Sequence, residues 1–368
     1  MNIKIAYSGK NDATDAVADL KQQLSGVDSK MIIYFASSAL DPNSLSDGMQ
    51  RAFDGSTVFG CSTAGEIISG KMLKDSVVAM ALDSTVAETV KIEVVEKVSA
   101  DPDVSGAMAS FGQYFGQDLH DMDVRKYVGI VLIDGLSGAE EQIMDQIGDL
   151  TNLTFIGGSA GDDLKFRKTF IYANGKGYTD AALLALVKTT SGFDIIKTQS
   201  FRELDKKLTV TKVNEARREV LEFNDQPAPK AYAEAVNASL ENASSRFMTN
   251  PIGLMVDDEP YVRSPQQIAG NSMIFYCNVL EGMELSLLES TDIIKDTTAA
   301  LEAKKKELGK ISGVINFHCI LRTLELQEKG LTDAYGKIFL DVPTIGFSTY
   351  GEEYIGHINQ TSTMLVFK

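Results

Sequence analysis

Histidine and cysteine are scarce in this chain of 368 residues, three of each, and bases are outnumbered by acids, 35 to 51. Each shortage excludes something. Cys61, Cys277 and Cys319 stand far apart and form no Cys-x-x-Cys pair. Neither a zinc ribbon nor a covalent haem attachment site is therefore written here, and thiol usage suits a reducing compartment. No two of His120, His318 and His357 are four residues apart, so no helical histidine pair can hold a metal. A formal charge of -16 repels phosphate backbones and anionic lipid, which argues against nucleic-acid and membrane-surface partners. No apolar run approaches 18 residues and the first residues lack a signal-peptide core, so a cytoplasmic protein without membrane spans is expected.

What is present is one peptide theme, three times over. Gly60-Cys61-Ser62-Thr63-Ala64-Gly65-Glu66 follows Thr57-Val58-Phe59. Gly157-Gly158-Ser159-Ala160-Gly161-Asp162 follows Thr154-Phe155-Ile156, and Gly346-Phe347-Ser348-Thr349-Tyr350-Gly351-Glu352 follows Pro343-Thr344-Ile345. Each is a short apolar strand that runs into glycine, small hydroxyls and a carboxylate. Glycine permits close backbone approach, and hydroxyls and amides supply hydrogen bonds. Ligands of open α/β sheets bind at strand carboxyl ends, so the three loops are expected to converge on one pocket.

Around these loops the first half alternates strands and helices, and the second half is strand-rich. Asp41 is placed to cap a helix over 42–53, and Ser137 with Glu140 spells a capping box. Asn174-Gly175 marks a hairpin turn, expected to join strands over 169–172 and 181–187. Texture changes near 200–225. The expected fold is mixed α/β (α+β): two sheet-containing lobes with flanking helices, residues 1–215 and 216–368, related to each other if their strand–loop signatures have one origin.

Two enzyme motifs compete with a binding role. Gly157-x-Ser159-x-Gly161 matches a nucleophile elbow, with His318 or His357 as base, which makes a serine hydrolase the alternative function. The helix such an elbow requires is replaced by a polar stretch. Gly65-Glu66-Ile67-Ile68-Ser69-Gly70-Lys71 spells most of a P-loop, but Met72 stands where magnesium needs a hydroxyl. His120 and His357 lie in polar segments and are expected at the surface. His318 ends the apolar run Val314-Ile315-Asn316-Phe317: it is either a hydrogen-bonded core residue or a ligand to haem iron or a small molecule. Arg322 can grip a ligand carboxylate or pair with Glu325. Glu66, Asp162 and Glu352 can bind a ligand amine or cap their loops.

These same segments resemble a known family. Ile33-Tyr34-Phe35-Ala36-Ser37 and the first glycine loop resemble the opening of the FIST N-terminal domain, and the second loop with Thr169-Phe170-Ile171-Tyr172 its later signature. Phe317-His318-Cys319-Ile320-Leu321-Arg322, the third loop and Asn359-x-Thr361 are similar to the FIST C-terminal signatures. The resemblance implies a non-catalytic sensory module for small ligands such as amino acids. A stand-alone subgroup that the chain resembles in layout binds haem b, responds to nitric oxide and regulates a histidine kinase or a cyclic-di-GMP enzyme. The ligand-binding candidates are Cys61, Ser62, Thr63, Glu66, Gly158, Ser159, Asp162, His318, Arg322, Ser348, Thr349 and Glu352, with His318 as metal ligand if haem is bound.

Overall fold

Continuous apolar runs on the central strands, such as 31–36 and 127–133, produce sheets that are buried on both faces. The computed structural model describes residues 2–257 and 259–368. The chain divides into two compact units, unit 1 being Met1–Lys197, Thr297–His357 and Ser362–Lys368, and unit 2 Thr198–Asp296 and Ile358–Thr361. The mixed α/β class with flanking helices is as the sequence predicts.

Unit 1 runs through one series of elements three times. The first pass is β1 (Ile3–Ser8), α1 (Ala13–Gln23), β2 (Ser29–Ser37), α2 (Pro42–Ala52), β3 (Thr57–Thr63), β4 (Glu66–Ile68), β5 (Lys71–Leu73) and β6 (Val77–Asp83). The second is β7 (Ala87–Glu96), α3 (Ser105–Phe115), β8 (Tyr127–Ile133), α4 (Glu140–Leu150), β9 (Thr154–Ser159), β10 (Ile171–Ala173), β11 (Lys176–Tyr178) and β12 (Ala181–Thr189). The third begins with β13 (Phe193–Gln199) and is then interrupted by unit 2.

Unit 2 contains β14 (Phe201–Asn214), β15 (Glu219–Phe223), β16 (Gln226–Pro227), α5 (Ala228–Ala235), β17 (Ile252–Val256), β18 (Glu259–Arg263), β19 (Pro265–Ala269), β20 (Ser272–Phe275) and β21 (Glu284–Ser290). The charged stretch 202–207, expected to separate two strands, lies inside β14: the first part of that strand pairs with β21 and the rest with β15. Leu208, Phe223, Tyr232 and Phe275 form part of this unit's own apolar core.

The third pass resumes with α6 (Ile293–Leu308), β22 (Gly313–Cys319), α7 (Ile320–Glu328), α8 (Thr332–Lys337), β23 (Thr344–Thr349), β24 (Glu352–Tyr354), β25 (His357–Ile358) and β26 (Thr361–Phe367). Each repeat builds a sheet in the same order: edge strand, return strand, central strand, then the parallel strand that precedes the glycine loop. These are β1-β6-β2-β3, β7-β12-β8-β9 and β13-β26-β22-β23. Each sheet is then completed by the hairpin of another repeat: β10–β11 extends the first, β24–β25 the second and β4–β5 the third. The exchange is cyclic, so no repeat has a complete sheet of its own.

The inner sheet faces share one core. Phe35 packs on Phe347 with ring centroids 4.5 Å apart, and Phe317 meets Phe347 at 5.9 Å. Such aromatic pairs contribute about 0.5–1.5 kcal/mol each beyond their burial. The outer faces carry their own helices. Ile32 and Tyr34 lie in one cluster with Leu20 and Leu45 of α1 and α2, and Val131 and Ile133 in another with Phe111 and Ile143 of α3 and α4.

Local expectations met mixed outcomes. Asp41 caps α2 by accepting from the Ser44 amide at 2.8 Å. Asn174 and Gly175, at φ 52° and 72°, form the turn, but it joins β10 to β11 and leaves β12 to the return path. Ser137 makes no capping box: its hydroxyl donates to the Asp134 carbonyl, and the Glu140 carboxylate faces the Ser159 hydroxyl instead.

Candidate functional site

The three glycine loops meet, and they meet one another. Ala64 N–H donates to the Ser348 carbonyl and Ser348 N–H to that of Gly65, joining loops one and three. Gly161 N–H donates to the Ser62 carbonyl and Asp163 N–H to that of Thr63, joining two and one. Ser159 N–H donates to the Gly351 carbonyl and Tyr350 N–H to that of Ser159, closing the ring. Gly60, Gly157 and Gly346 make this possible. A Cβ there would lie 1.8 Å from the Tyr34 carbonyl oxygen, 1.7 Å from that of Val131 and 2.2 Å from that of Asn316.

Most loop side chains serve as struts in this ring. Ser62 Oγ donates to the Gly161 carbonyl at 2.7 Å and accepts from Phe170 N–H. Thr349 Oγ1 lies 2.7 Å from the Ser159 carbonyl and 2.6 Å from that of Gly351, its one proton shared between them, and packs where a Gly158 side chain would stand. Glu66 accepts from Thr63 Oγ1 and Ser76 Oγ, both at 2.5 Å. Burial pushes its carboxyl up to about 8, against the opposing hydrogen bonds from Ser76 and Thr63. Asp162 differs: burial opposes its charge, but the Tyr350 hydroxyl and the amides of Arg167, Lys168 and Phe166 outweigh that and hold it below the usual range. Cys61 faces the apolar core, where burial pushes its thiol well up and keeps it protonated. Glu352 is buried in β24 beside Gly158.

Neither enzyme motif has its required geometry. Residues 65–71 form the β4–β5 hairpin, so no helix N-terminus is present to receive a phosphate. Ser159 is wholly enclosed, and its hydroxyl donates to Glu353 at 3.1 Å. His357, expected at the surface, is buried and bonds that same Glu353 through Nδ1 at 3.0 Å. The carboxylate thus sits between serine and imidazole. In a triad the imidazole sits in the middle, so that it can take the hydroxyl proton. Burial opposes the charge on His357, but Glu353 and, further off, Glu140 and Glu141 raise its pKa to about 10. Burial also pushes the Glu353 carboxyl up, against the His357 charge and hydrogen bond, and the pair is a buried strut between β24 and β25.

One outer face is different in kind. On β22 the side chains facing away from the core are Val314, Asn316 and His318, and the register sets Ser348 and Ser362 on either side of His318. Asn316 donates to the Tyr335 hydroxyl at 3.1 Å and accepts from Ser362 at 2.7 Å. Thr323 and Ser348 share a hydrogen bond of 2.8 Å, and Arg322 Nη2 donates to Thr297 at 3.2 Å. Glu325, the alternative partner for Arg322, is held by Lys329 at 2.6 Å. His318 is fully buried, and neither ring nitrogen has a hydrogen-bond partner among the described residues. Burial, then the Arg322 cation, holds its pKa well below the usual range, so the ring is neutral. Beside this cluster is a cavity of about 280 Å³, whose lining includes Gly65, Lys74, Thr323, Gln327, Thr332 and Ser348. Sequence reasoning missed Asn316, Thr323, Tyr335 and Ser362. The available signal was two polar residues, Asn316 and His318, alternating inside an otherwise apolar strand.

The arrangement does not fit a haem. The His318 ring lies against Tyr335 with centroids 4.4 Å apart, enclosed on all sides. The neighbouring cavity is at the lower edge of pockets that enclose even a drug-sized molecule, about 300–1,000 Å³.

Comparison with known proteins places this architecture. The FIST N domain matches residues 30–226 and the FIST C domain residues 228–354. The chain belongs to the FIST family. It is 24% identical over 330 residues to an uncharacterized protein of Methanocaldococcus jannaschii, an alignment covering 81% of this chain and 61% of that relative. The chain thus spans about three-fifths of the relative's length. The family is one of sensory domains for small ligands. Among the described residues no FIST helix here is long and apolar enough to cross a membrane.

Proposed function

We propose that this FIST protein is a non-catalytic sensor that binds a small, amino-acid-like molecule at the carboxyl ends of β22 and β23 and passes the signal to a separate partner, such as a histidine kinase or a cyclic-di-GMP enzyme. The observation that carries the reading is the wholly buried His318 with two unpartnered ring nitrogens, beside Arg322 and the Thr323–Ser348 hydroxyl pair. A buried polar atom without a partner costs about 1–3 kcal/mol, and a bound guest that supplies the missing bonds recovers it. Lys74 in the cavity lining offers a cation for a carboxylate, and hydroxyls and backbone carbonyls offer acceptors for an ammonium group. The site also lies where open α/β sheets bind ligands, beyond the ends of parallel strands. The other candidates from the loops are proposed as the frame that fixes this pocket: Cys61, Ser62, Thr63, Glu66, Gly158, Ser159, Asp162, Thr349 and Glu352.

A thermal-shift screen of the twenty amino acids, with haem included, tests this. A ligand at about 100 times its Kd stabilises the fold by about 2.7 kcal/mol. At least one amino acid is expected to raise the Tm, and Ser348→Ala together with His318→Leu is expected to abolish the rise. If no amino acid shifts the Tm, or the rise survives both substitutions, the reading fails. A Soret band on haem addition that His318→Leu removes would replace the amino-acid ligand by haem.

A further inference from the structure

The three exchanged hairpins end against three different surroundings. The tip of β4–β5 is sealed. Gly70 N–H donates to the Gly336 carbonyl at 3.0 Å, Ser69 Oγ donates to that of Val342 at 2.7 Å, and Leu340 would lie 3.1 Å from a Cβ on Gly70. The tip of β10–β11 is sealed by α2: Gly177 N–H donates to Asn43 Oδ1 and Ser46 Oγ to the Lys176 carbonyl, both at 3.1 Å. At the tip of β24–β25 a Cβ on Gly356 would meet nothing within 4 Å. Ile355, at φ 55°, is 75% exposed. A turn of this kind is ordinarily served by glycine or asparagine, so an exposed isoleucine is not a requirement of the backbone.

Between this third tip and α4 is a groove of about 570 Å³. Its lining includes Ile147, Leu153, Phe155 and Tyr354, with Asp145 and Asp149 at one side and Ile355 at the other. Glu141, Asp145 and Asp149 recur at four-residue intervals, which puts them on one line along the helix. Partial burial, then Glu141 and Asp149, raises the Asp145 carboxyl, and neither Asp145 nor Asp149 has an ion pair among the described residues. At the two other tips the corresponding space is filled by protein. Here Ile355 and half-buried Tyr354 are left open above buried Ile147, Leu153 and Phe155, beside an acidic wall without an ion pair among the described residues.

We infer that the groove between α4 and the β24–β25 tip is a docking surface for a partner protein's basic segment, one that inserts an apolar side chain beside Ile355 and Tyr354 and sets lysine or arginine against Asp145 and Asp149. Apolar anchoring gives such a contact its affinity, and the opposed charges give it partner choice and association rate. The surface is independent of the ligand reading, and its test uses no ligand.

The probe is a fluorescein-labelled, twelve-residue peptide of leucine and lysine at helical spacing, read by anisotropy against the full chain. Binding is expected, and it weakens as salt is raised. D145K/D149K is expected to weaken it at least about tenfold and I355S several-fold. D28K/D54K makes the same change in net charge at exposed sites elsewhere and is expected to stay within about twofold. Circular dichroism checks that each variant is folded. The inference is overturned if the peptide does not bind, if D145K/D149K binds as wild type does, or if D28K/D54K weakens binding as much.

Discussion

At structurally matched positions the outer face of the third sheet is polar where the first two are apolar. The glycine before each loop fixes the match. Gly60 pairs with Tyr34, Gly157 with Val131 and Gly346 with Asn316, and two residues on Ser62 pairs with Ala36, Ser159 with Ile133 and Ser348 with His318. All three faces are buried beneath helices, so packing alone makes the same demand on each. In the first sheet Tyr34 fills its position and stacks on Tyr172 at 5.4 Å. In the second, Val131 and Ile133 join the α3–α4 core. Only the third places an imidazole and a carboxamide there. A triplicated scaffold thus supplies its own control: the departure that packing does not explain is the place to look for binding.

The largest expected effect tests whether the three repeats are matched at all. In Gly157→Ala the new Cβ would stand 1.7 Å from a backbone carbonyl oxygen, which has no room to retreat. Destabilisation of more than about 4 kcal/mol is expected, read from the denaturant midpoint or from loss of soluble protein. Gly60→Ala and Gly346→Ala are expected to act alike. A mild effect at any one of the three would break the equivalence on which the comparison rests.

Ile133→His comes next. It puts into the second repeat the side chain that the third carries. Ile133 is fully buried among Val131, Ile143 and Leu184, and the polar group beside it, Ser159 with Glu353 and His357, is already bonded within itself. A loss of about 2–4 kcal/mol is expected in urea unfolding. If the loss were under about 1 kcal/mol, the second face would be as tolerant of histidine as the third, and His318 would lose its special standing.

These positions also show what was legible beforehand. The glycine loops could be read because close backbone approach allows no other residue, and each lies directly after an apolar strand. Their meeting was foreseen; that they meet by bonding one another was not, since an amide's partner across 100 residues leaves no local mark. The threefold order was hidden because unit 2 interrupts the third repeat between β13 and α6. Hairpin exchange was hidden as well, because Asn174-Gly175 reports a turn and not the sheet its strands will join. His357 looked exposed among polar neighbours. Its burial depends on Glu353 and on Glu140 from another repeat, a pairing with no sequence period. The second half's polar cluster was half legible: His318 and Arg322 stood out, whereas Tyr335 and Ser362 join them only through folding.

The loop carboxylates offer a third, smaller contrast. Glu66 and Asp162, the carboxylates that follow the first two glycine loops, have pKa values displaced in opposite directions. Glu66 keeps its proton in the fold to about pH 8, against an ordinary 4.5. Its contribution is fully present below pH 4.5 and is lost as pH rises to 8, by at most about 1.4 kcal/mol per pH unit. Glu66→Gln should remove that slope and stabilise the chain at pH 8. Asp162 contributes above its ordinary 3.8, and the contribution is lost as pH falls through its lowered value. Asp162→Asn should cost about 1–3 kcal/mol at neutral pH, because an amide cannot accept all of the hydrogen bonds the carboxylate receives. Urea unfolding from pH 2 to 9 reads both, and parallel pH profiles for the two variants would show that the two carboxylates do the same work.

His318→Leu has the smallest expected effect on stability and bears most directly on the comparison. The substitution gives the third repeat an apolar side chain of similar volume, as in the second. In a core whose histidine has partners, removing it strands them and costs stability. Here neither ring nitrogen bonds to protein, and the ring is neutral, so a leucine forfeits no hydrogen bond and no ion pair. Burying a polar ring without partners is itself unfavourable, which places the variant between unchanged and about 1 kcal/mol more stable in urea unfolding. A gain or no change, accompanied by loss of the amino-acid Tm shift, would mean that this position is kept polar at the expense of the fold. A loss above about 2 kcal/mol would mean instead that His318 is a structural residue whose packing on Tyr335 the third repeat needs, and the contrast between the faces would then be one of packing alone.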